Sequence, residues 1–143
     1  MTSALASLFL DAIKIDALPL HEKPVAAYVR KALKGLPVRI LEDDTAKRFD
    51  GDCGNLICIP STFNATRPAL ALLAHMDTPR STASVRPVVS DTRITSDGLT
   101  ALGVDNRAGL SALLHVFREH VNSNRPGNFI VVFTAAEEAG LYG

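Results

Sequence analysis

Five side chains of this 143-residue sequence have the chemistry of a hydrolytic or metal-binding site, and they fall in three short clusters. His75 and Asp77 stand in A-H-M-D-T-P, Asp105 in L-G-V-D-N-R-A-G-L, and Glu137 and Glu138 in F-T-A-A-E-E-A-G. Each has an ordinary structural explanation when taken alone. His75 could be a satisfied core-edge histidine, Asp105 a helix cap, and the Glu pair the first-turn acids of a following helix. Taken together they read differently. One His and four carboxylates gathered without a cationic partner would repel and raise one another's pKa, and a divalent cation removes that difficulty. Imidazole nitrogen mixed with carboxylate oxygen suits zinc, with cobalt or manganese as alternatives. Arg107 is close in sequence to Asp105, but no lysine or arginine obviously replaces the cation.

The gathering depends on the elements that carry the clusters. A-L-A-L-L-A (69–74) and F-I-V-V-F (129–133) are short apolar runs without polar alternation, as expected of strands covered on both faces. Between them Leu110, Leu113, Leu114, Phe117 and Val121 mark the buried stripe of a helix that begins near Asp105 and ends before the Asn122–Gly127 turn. Strand, helix and strand in that order imply a parallel pair with a right-handed crossover. His75 and Asp77 then follow the first strand, two residues apart and so on one face of extended chain. Asp105 opens the helix and the Glu pair follows the second strand. All three clusters are thereby expected at the carboxyl edge of the sheet, where open α/β sheets bind ligands.

The remainder is less specific. Leu5, Leu8, Phe9, Ala12 and Ile13, then Val25, Tyr28, Val29, Ala32, Leu33 and Leu36, predict two amphipathic helices, with Pro24 in a first turn and Gly35 as a stop. Val38–Leu41 and Asn55–Ile59 predict strands on either side of a polar loop, and Asp97-Gly98 predicts a turn between two β-prone pieces within 80–101. His21, His115 and His120 read as surface or core-edge residues, with His115 on the solvent side of its helix.

Composition sets the outer bounds. An apolar fraction of 47% and a charged fraction of 21% describe one ordinary globular domain. Fifteen basic residues cancel fifteen acidic ones, so the basic surplus of a nucleic-acid-binding surface is missing. Cys53 and Cys58 form a lone C-x4-C pair, which fits neither a disulfide framework nor a four-thiolate zinc site. Free thiols, no basic export-type start and no membrane-length apolar run make the cytoplasm the expected compartment. Neither a G-x-G-x-x-G nor a G-x-x-x-x-G-K-[ST] follows either strand, against nucleotide binding.

Three motifs, H-M-D-T (75–78), G-V-D-N-R-A-G (103–109) and E-E-A-G-L-Y-G (137–143), together with S-D-G-L-T-A-L-G before Asp105 and G-N-L-I at 54–57, resemble the peptidase T-like family. That family belongs to the dinuclear zinc hydrolases that include tripeptide aminopeptidases, glutamate carboxypeptidases and aminoacylases. Leucine-type and glutamyl-type aminopeptidases share the same H-x-D, helix-start Asp and Glu-Glu pattern. The resemblance covers nearly the whole chain. It implies a three-layer α/β/α, mostly parallel zinc-exopeptidase-like sheet, two Zn2+ per complete site, and hydrolysis of short peptides or N-acyl amino acids. It implies that His75 and Glu138 each ligate one zinc and that Asp105 bridges both. Asp77 would orient His75, and Glu137 would be the general base that takes a proton from the attacking water and returns it to the leaving amine.

Family members run to more than twice this length, with a further acidic ligand, a late histidine ligand and an inserted lid domain. Residues 1–143 are therefore expected to be the amino-terminal part of a metallopeptidase catalytic domain, without the lid or dimerisation domain and with part of the active site. Fewer covering elements imply an exposed sheet face or edge, and self-association through it. The competing expectation is a catalytically silent interaction module that keeps the α/β scaffold.

Overall fold

The computed structural model of the chain describes residues 3–123 and 127–143. Helix α1 (Ala4–Ala12) starts where the Ser3 hydroxyl accepts the Ala6 N–H at 3.2 Å. Helix α2 (Lys23–Ala32) has Pro24 in its first turn and ends just before Gly35, whose φ of +82° only glycine adopts freely. Strand β1 (Val38–Glu42), a short helix α3 (Thr45–Phe49) and strand β2 (Leu56–Pro60) follow. The sequence showed 42–54 as a polar loop, because five helical residues are too few to set up a readable periodicity.

Strand β3 (Leu70–His75), helix α4 (Val104–Ser123) and strand β6 (Phe129–Thr134) form the expected crossover, with β3 and β6 parallel and in register from Leu70↔Phe129 to His75↔Thr134. Helix α4 runs to Ser123, further than the sequence suggested; of the turn expected after it, Asn124, Arg125 and Pro126 lie outside the described residues. The hairpin of β4 (Pro87–Val89) and β5 (Ile94–Ser96) turns at Ser90–Arg93, where Ser90 and Arg93 bond each other through backbone and hydroxyl. Asp97-Gly98 follows this hairpin and does not form its turn, a correction to the sequence reading.

The α/β class is as expected, and the four-stranded sheet has the order β1-β2-β6-β3. Its direction differs from the mostly parallel expectation: among the described residues β1–β2 and β2–β6 are antiparallel, and only β3–β6 is parallel. The physical reason is the connection. Only β3 and β6 are joined by a long helix able to carry the chain back to the same end, whereas β1 returns into β2 through a short segment.

The layers also differ. Leu56, Cys58, Ala74, Val131 and Phe133 share one core with Val25 and Val29 of α2, Ala12 of α1, and Leu110, Leu114 and Phe117 of α4. The described helices therefore cover one face, giving two layers where three were expected. On the other face Leu73 of β3 is 60% exposed, so the uninterrupted apolar run does not reflect burial on both sides. The expected exposed face is present. Among the described residues no helix is long and apolar enough to cross a membrane.

Candidate functional site

Strand β3 ends at His75, the Met76 N–H makes one more backbone bond to the Thr134 carbonyl of β6 at 2.7 Å, and beyond it side chains supply the pairing. His75 Nδ1 lies 3.2 Å from Asp77 Oδ1 and 3.1 Å from the Asp77 carbonyl. The i,i+2 spacing thus brings the two side chains together as the extended chain predicts. Asp77 is fully buried, and its carboxylate also accepts the N–H groups of Glu137 at 3.3 Å and Glu138 at 2.9 Å. One buried carboxylate therefore ties the loop after β3 to the loop after β6.

The other ring nitrogen points outward. His75 Nε2 is 3.1 Å from Asp105 Oδ1 and 3.7 Å from Glu137 Oε2. Asp105 comes from a chain segment far from β3 in sequence, and the reason it reaches His75 is local. Asp105 (φ −86°, ψ 110°) is extended and stands before the helical part of α4. The capping role falls to Asn106, whose Oδ1 accepts the Gly109 N–H at 3.1 Å. A Cβ at Gly109 would press on that same oxygen, so glycine leaves the Asn106 side chain room to cap. With the cap supplied by its neighbour, the Asp105 carboxylate is free to face the histidine.

Ligand atoms of His75, Glu137 and Glu138 all lie within 4.8 Å of one another. Together with the Asp105 contact, this brings all five sequence-selected residues to one rim. The Glu pair sits in a turn, closed by Gly140 and Leu141 N–H groups on the Glu137 carbonyl, and starts no helix among the described residues. His21 is exposed, while His120 is buried with its ring 4.5 Å from that of Phe129. His115 is half-buried, a correction to its placement on the solvent side. None of the three joins a ligand cluster among the described residues.

The electrostatics follow from this packing. Burial disfavours the charged His75 ring, but the Asp77 hydrogen bond and charge, with Glu137 and Asp105, outweigh it and raise its pKa to about 9. Protonated, the ring donates from both nitrogens. Burial also works against an Asp77 anion, and the His75 and Glu138 hydrogen bonds overcome it, so its pKa is lowered. Glu138 is raised, by what desolvation it has and by the charges of Glu137 and Asp105. At the rim one histidine proton faces the charges of Asp105, Glu137 and Glu138, an imbalance a cation would correct, while buried Arg107 acts on Asp77 from beneath.

The residues fit a divalent metal on their own geometry. Zinc bonds of about 2.0–2.2 Å in a tetrahedron place ligand atoms roughly 3.3 Å apart, close to the separation of His75 Nε2 and Asp105 Oδ1. The Nδ1 side of the ring is already engaged by a carboxylate, the arrangement that fixes a ligating histidine. A concavity of about 620 Å³ between Ser3, Ala6 and the Val89–Ile94 turn contains none of these residues, so volume alone would point elsewhere.

Three supporting residues had no role in the sequence reading. Arg107 is fully buried beneath the rim and donates to the Met76 carbonyl and, at 3.0 Å, to the Ile15 carbonyl. Burial lowers its pKa to about 10, against the opposing charges of Asp77, Asp16 and Glu22, so it remains charged at neutral pH. Asn55 Oδ1 accepts the Ala135 N–H at 2.9 Å, and Glu22 Oε1 accepts that of Ala136 at 2.8 Å. The only signals in the sequence were the G-N-L-I match and a charged residue at a helix start.

The chain is similar to known peptidases. The family model of the M42 glutamyl aminopeptidases matches residues 82–143, which include Asp105, Glu137 and Glu138. A crystal structure of a tripeptidase from Staphylococcus aureus is 34% identical, with a TM-score of 0.85 over 97% of this chain and 38% of that one. Aminopeptidase PepT from Bacillus cereus is 31% identical, with a TM-score of 0.84 over 95% of this chain and 37% of its own. The Bacillus subtilis protein YqjE, described as uncharacterized, is 33% identical over 138 residues, 94% of this chain and 36% of that protein. The chain thus spans little more than a third of the length of these relatives. The resemblance carried by the three motifs is borne out as a likeness: over 95% or more of its length this chain is similar to part of aminopeptidase PepT and of the tripeptidase.

Proposed function

We propose that residues 1–143 are the amino-terminal part of a metal-dependent peptidase catalytic domain that hydrolyses amide bonds in short peptides or N-acyl amino acids. The observation that carries this reading is the His75 ring, held by Asp77 on one nitrogen and facing Asp105 and Glu137 with the other. His75, Asp105 and Glu138 would hold the metal, zinc by the mixed nitrogen and oxygen donor set, with cobalt or manganese as substitutes. When bound, zinc supplies Lewis acidity to the scissile carbonyl and acidity to the attacking water.

The chain's own residues do the rest. Asp77 fixes the tautomer and direction of His75 by accepting its Nδ1 proton. Through the Glu137 and Glu138 N–H groups the same carboxylate sets the position of the Glu pair. Glu137 stands about one-third exposed beside His75, open enough to accept a proton from water and pass it to the leaving amine. The number of metal ions and any ligands beyond these belong to the same proposal, as does the choice between free-amine and free-carboxylate substrates.

The test is Glu137→Gln. In a protein that carries the rest of the catalytic domain, peptide hydrolysis is expected to fall about 10²–10⁴-fold, the usual loss when a general base is removed, while metal binding persists. Turnover equal to that of an active parent would take the base role from Glu137, and a parent without turnover would favour the silent-module reading. Two further parts of the proposal rest on separate features. Buried free Cys53 and Cys58 suit a reducing, cytoplasmic compartment. The open face bearing Leu73 is proposed to pair with a second copy of the chain; a single monomeric species in sedimentation at micromolar concentration would exclude that pairing.

A further inference from the structure

The chain leaving β6 presents four successive N–H groups, each met by a side chain from elsewhere. Ala135 N–H goes to Asn55, Ala136 N–H to Glu22, and Glu137 and Glu138 N–H to Asp77. Glu22 differs from the others in its reach, and it is as deep as Asp77. It is fully buried, opens α2, and lies 114 residues from Ala136 in sequence. Its Oε1 atom accepts two N–H groups, Leu20 and Ala136, both at 2.8 Å. Leu20 has φ +71° and Ala136 φ +55°, so one carboxylate oxygen holds two non-glycine residues in the left-handed region. Such residues persist only where their surroundings fix them. Ala136 immediately precedes Glu137, so its conformation sets where the Glu pair emerges.

We propose that Glu22 is a positioning residue of the active site, locking the left-handed turn at Ala136 from which Glu137 and Glu138 project. This rests on the functional reading above for its consequence, although the lock itself does not. A metal site at Glu22 is the competing explanation, since its carboxylate lies within 4.8 Å of Asp52 and Cys53 ligand atoms and its Oε2 has no partner among the described residues. Position argues against it. Glu22 stands at the amino end of α2, where the positive end of the helix dipole disfavours an added cation. Its other oxygen is already committed to two backbone donors.

The experiment is residue-resolved amide hydrogen exchange on the parent chain, Glu22→Gln and Glu22→Leu, each followed by titration with Co2+ alone. Exchange at Ala136 and Leu20 should be slowest in the parent, intermediate with glutamine, which keeps a neutral acceptor, and about tenfold or more faster with leucine. Amides of Val131 and Phe117 should keep their protection. Co2+ affinity should fall in the same order, about tenfold for leucine, the lower end of what loss of an orienting partner costs a metal site. If Glu22→Leu does not fold, the parent and glutamine chains decide alone. Equal Ala136 protection in those two, or a uniform rise at every amide, overturns the proposal. A parent chain that keeps the Ala136 pattern but binds no Co2+ refutes the functional reading and the consequence, while the lock stands.

Discussion

Among the described residues, two groups of side chains each bring three metal-ligating atoms within 4.8 Å: His75, Glu137 and Glu138 at the sheet edge, and Glu22, Asp52 and Cys53 beside α2. By proximity they are equivalent, and they differ in where their lone pairs and protons are committed. At the first, the deepest carboxylate is Asp77, which spends its oxygens on His75 and two backbone donors and so aims the histidine outward. The carboxylates of Asp105 and Glu138 remain exposed. At the second, Glu22 turns one oxygen to backbone donors, Asp52 Oδ1 accepts the Lys23 N–H, and the Cys53 thiol is kept protonated by burial. The comparison teaches that closeness of ligand types is not a site. A site needs a second tier that occupies the inner atoms and leaves the outer ones free.

The largest effect that sharpens this contrast concerns Cys53. Burial, with the charges of Glu22, Asp52 and Glu42, raises its thiol pKa from 9.0 to about 12, and burial raises Cys58 similarly. Thiolate is the reactive form, so alkylation near pH 8 should be about a thousandfold slower in the folded chain than in denaturant. Rapid native labelling of Cys53 would make it a ligand candidate again.

Next in size is the pair of substitutions Asp105→Asn and Asp52→Asn. The first should weaken Co2+ binding about 10–100-fold by calorimetry, the second less than about twofold. Equal losses would erase the distinction between the two groups.

The pH dependence is gentler. His75 has its pKa raised from 6.5 to about 9. A histidine raised in this direction contributes stability that is fully present below about 6.5 and is lost as pH rises through about 9. Chelator-treated chain should therefore unfold at progressively lower temperature across that window. The same proton must leave before a metal is bound, so Co2+ affinity should climb up to about tenfold per pH unit and level off above about 9. Affinity that does not change between pH 6.5 and 9 would remove His75 from the ligand set.

Much of this was legible in the sequence for identifiable reasons. Strands β3 and β6 and helix α4 carry uninterrupted apolar runs and a clear helical stripe, so their order and the edge where His75, Asp105 and the Glu pair gather could be read directly. The pairing of His75 with Asp77 follows from spacing on extended chain. The antiparallel placement of β1 and β2 was not legible, because short strands carry no mark of direction. The single covered face was hidden by Leu73, an exposed residue that looks like a core residue in a strand of leucine and alanine. Glu22, Asn55 and Arg107 act through hydrogen bonds to backbone groups 114, 80 and 31 residues away, and such contacts leave no periodicity or motif. Asn106 was closer to legible: an Asn three residues before a Gly at a helix start is a cap signature that competes with Asp105 for the same role.

Anomalous diffraction from a Co2+-soaked crystal, collected at the cobalt edge, tests the central claim most directly. A peak is expected within about 2.0–2.2 Å of His75 Nε2 and of a carboxylate oxygen of Asp105 or Glu138, with no peak beside Cys53. A peak at Glu22 and Cys53 alone, or a well-ordered fold with no peak near His75, would contradict it.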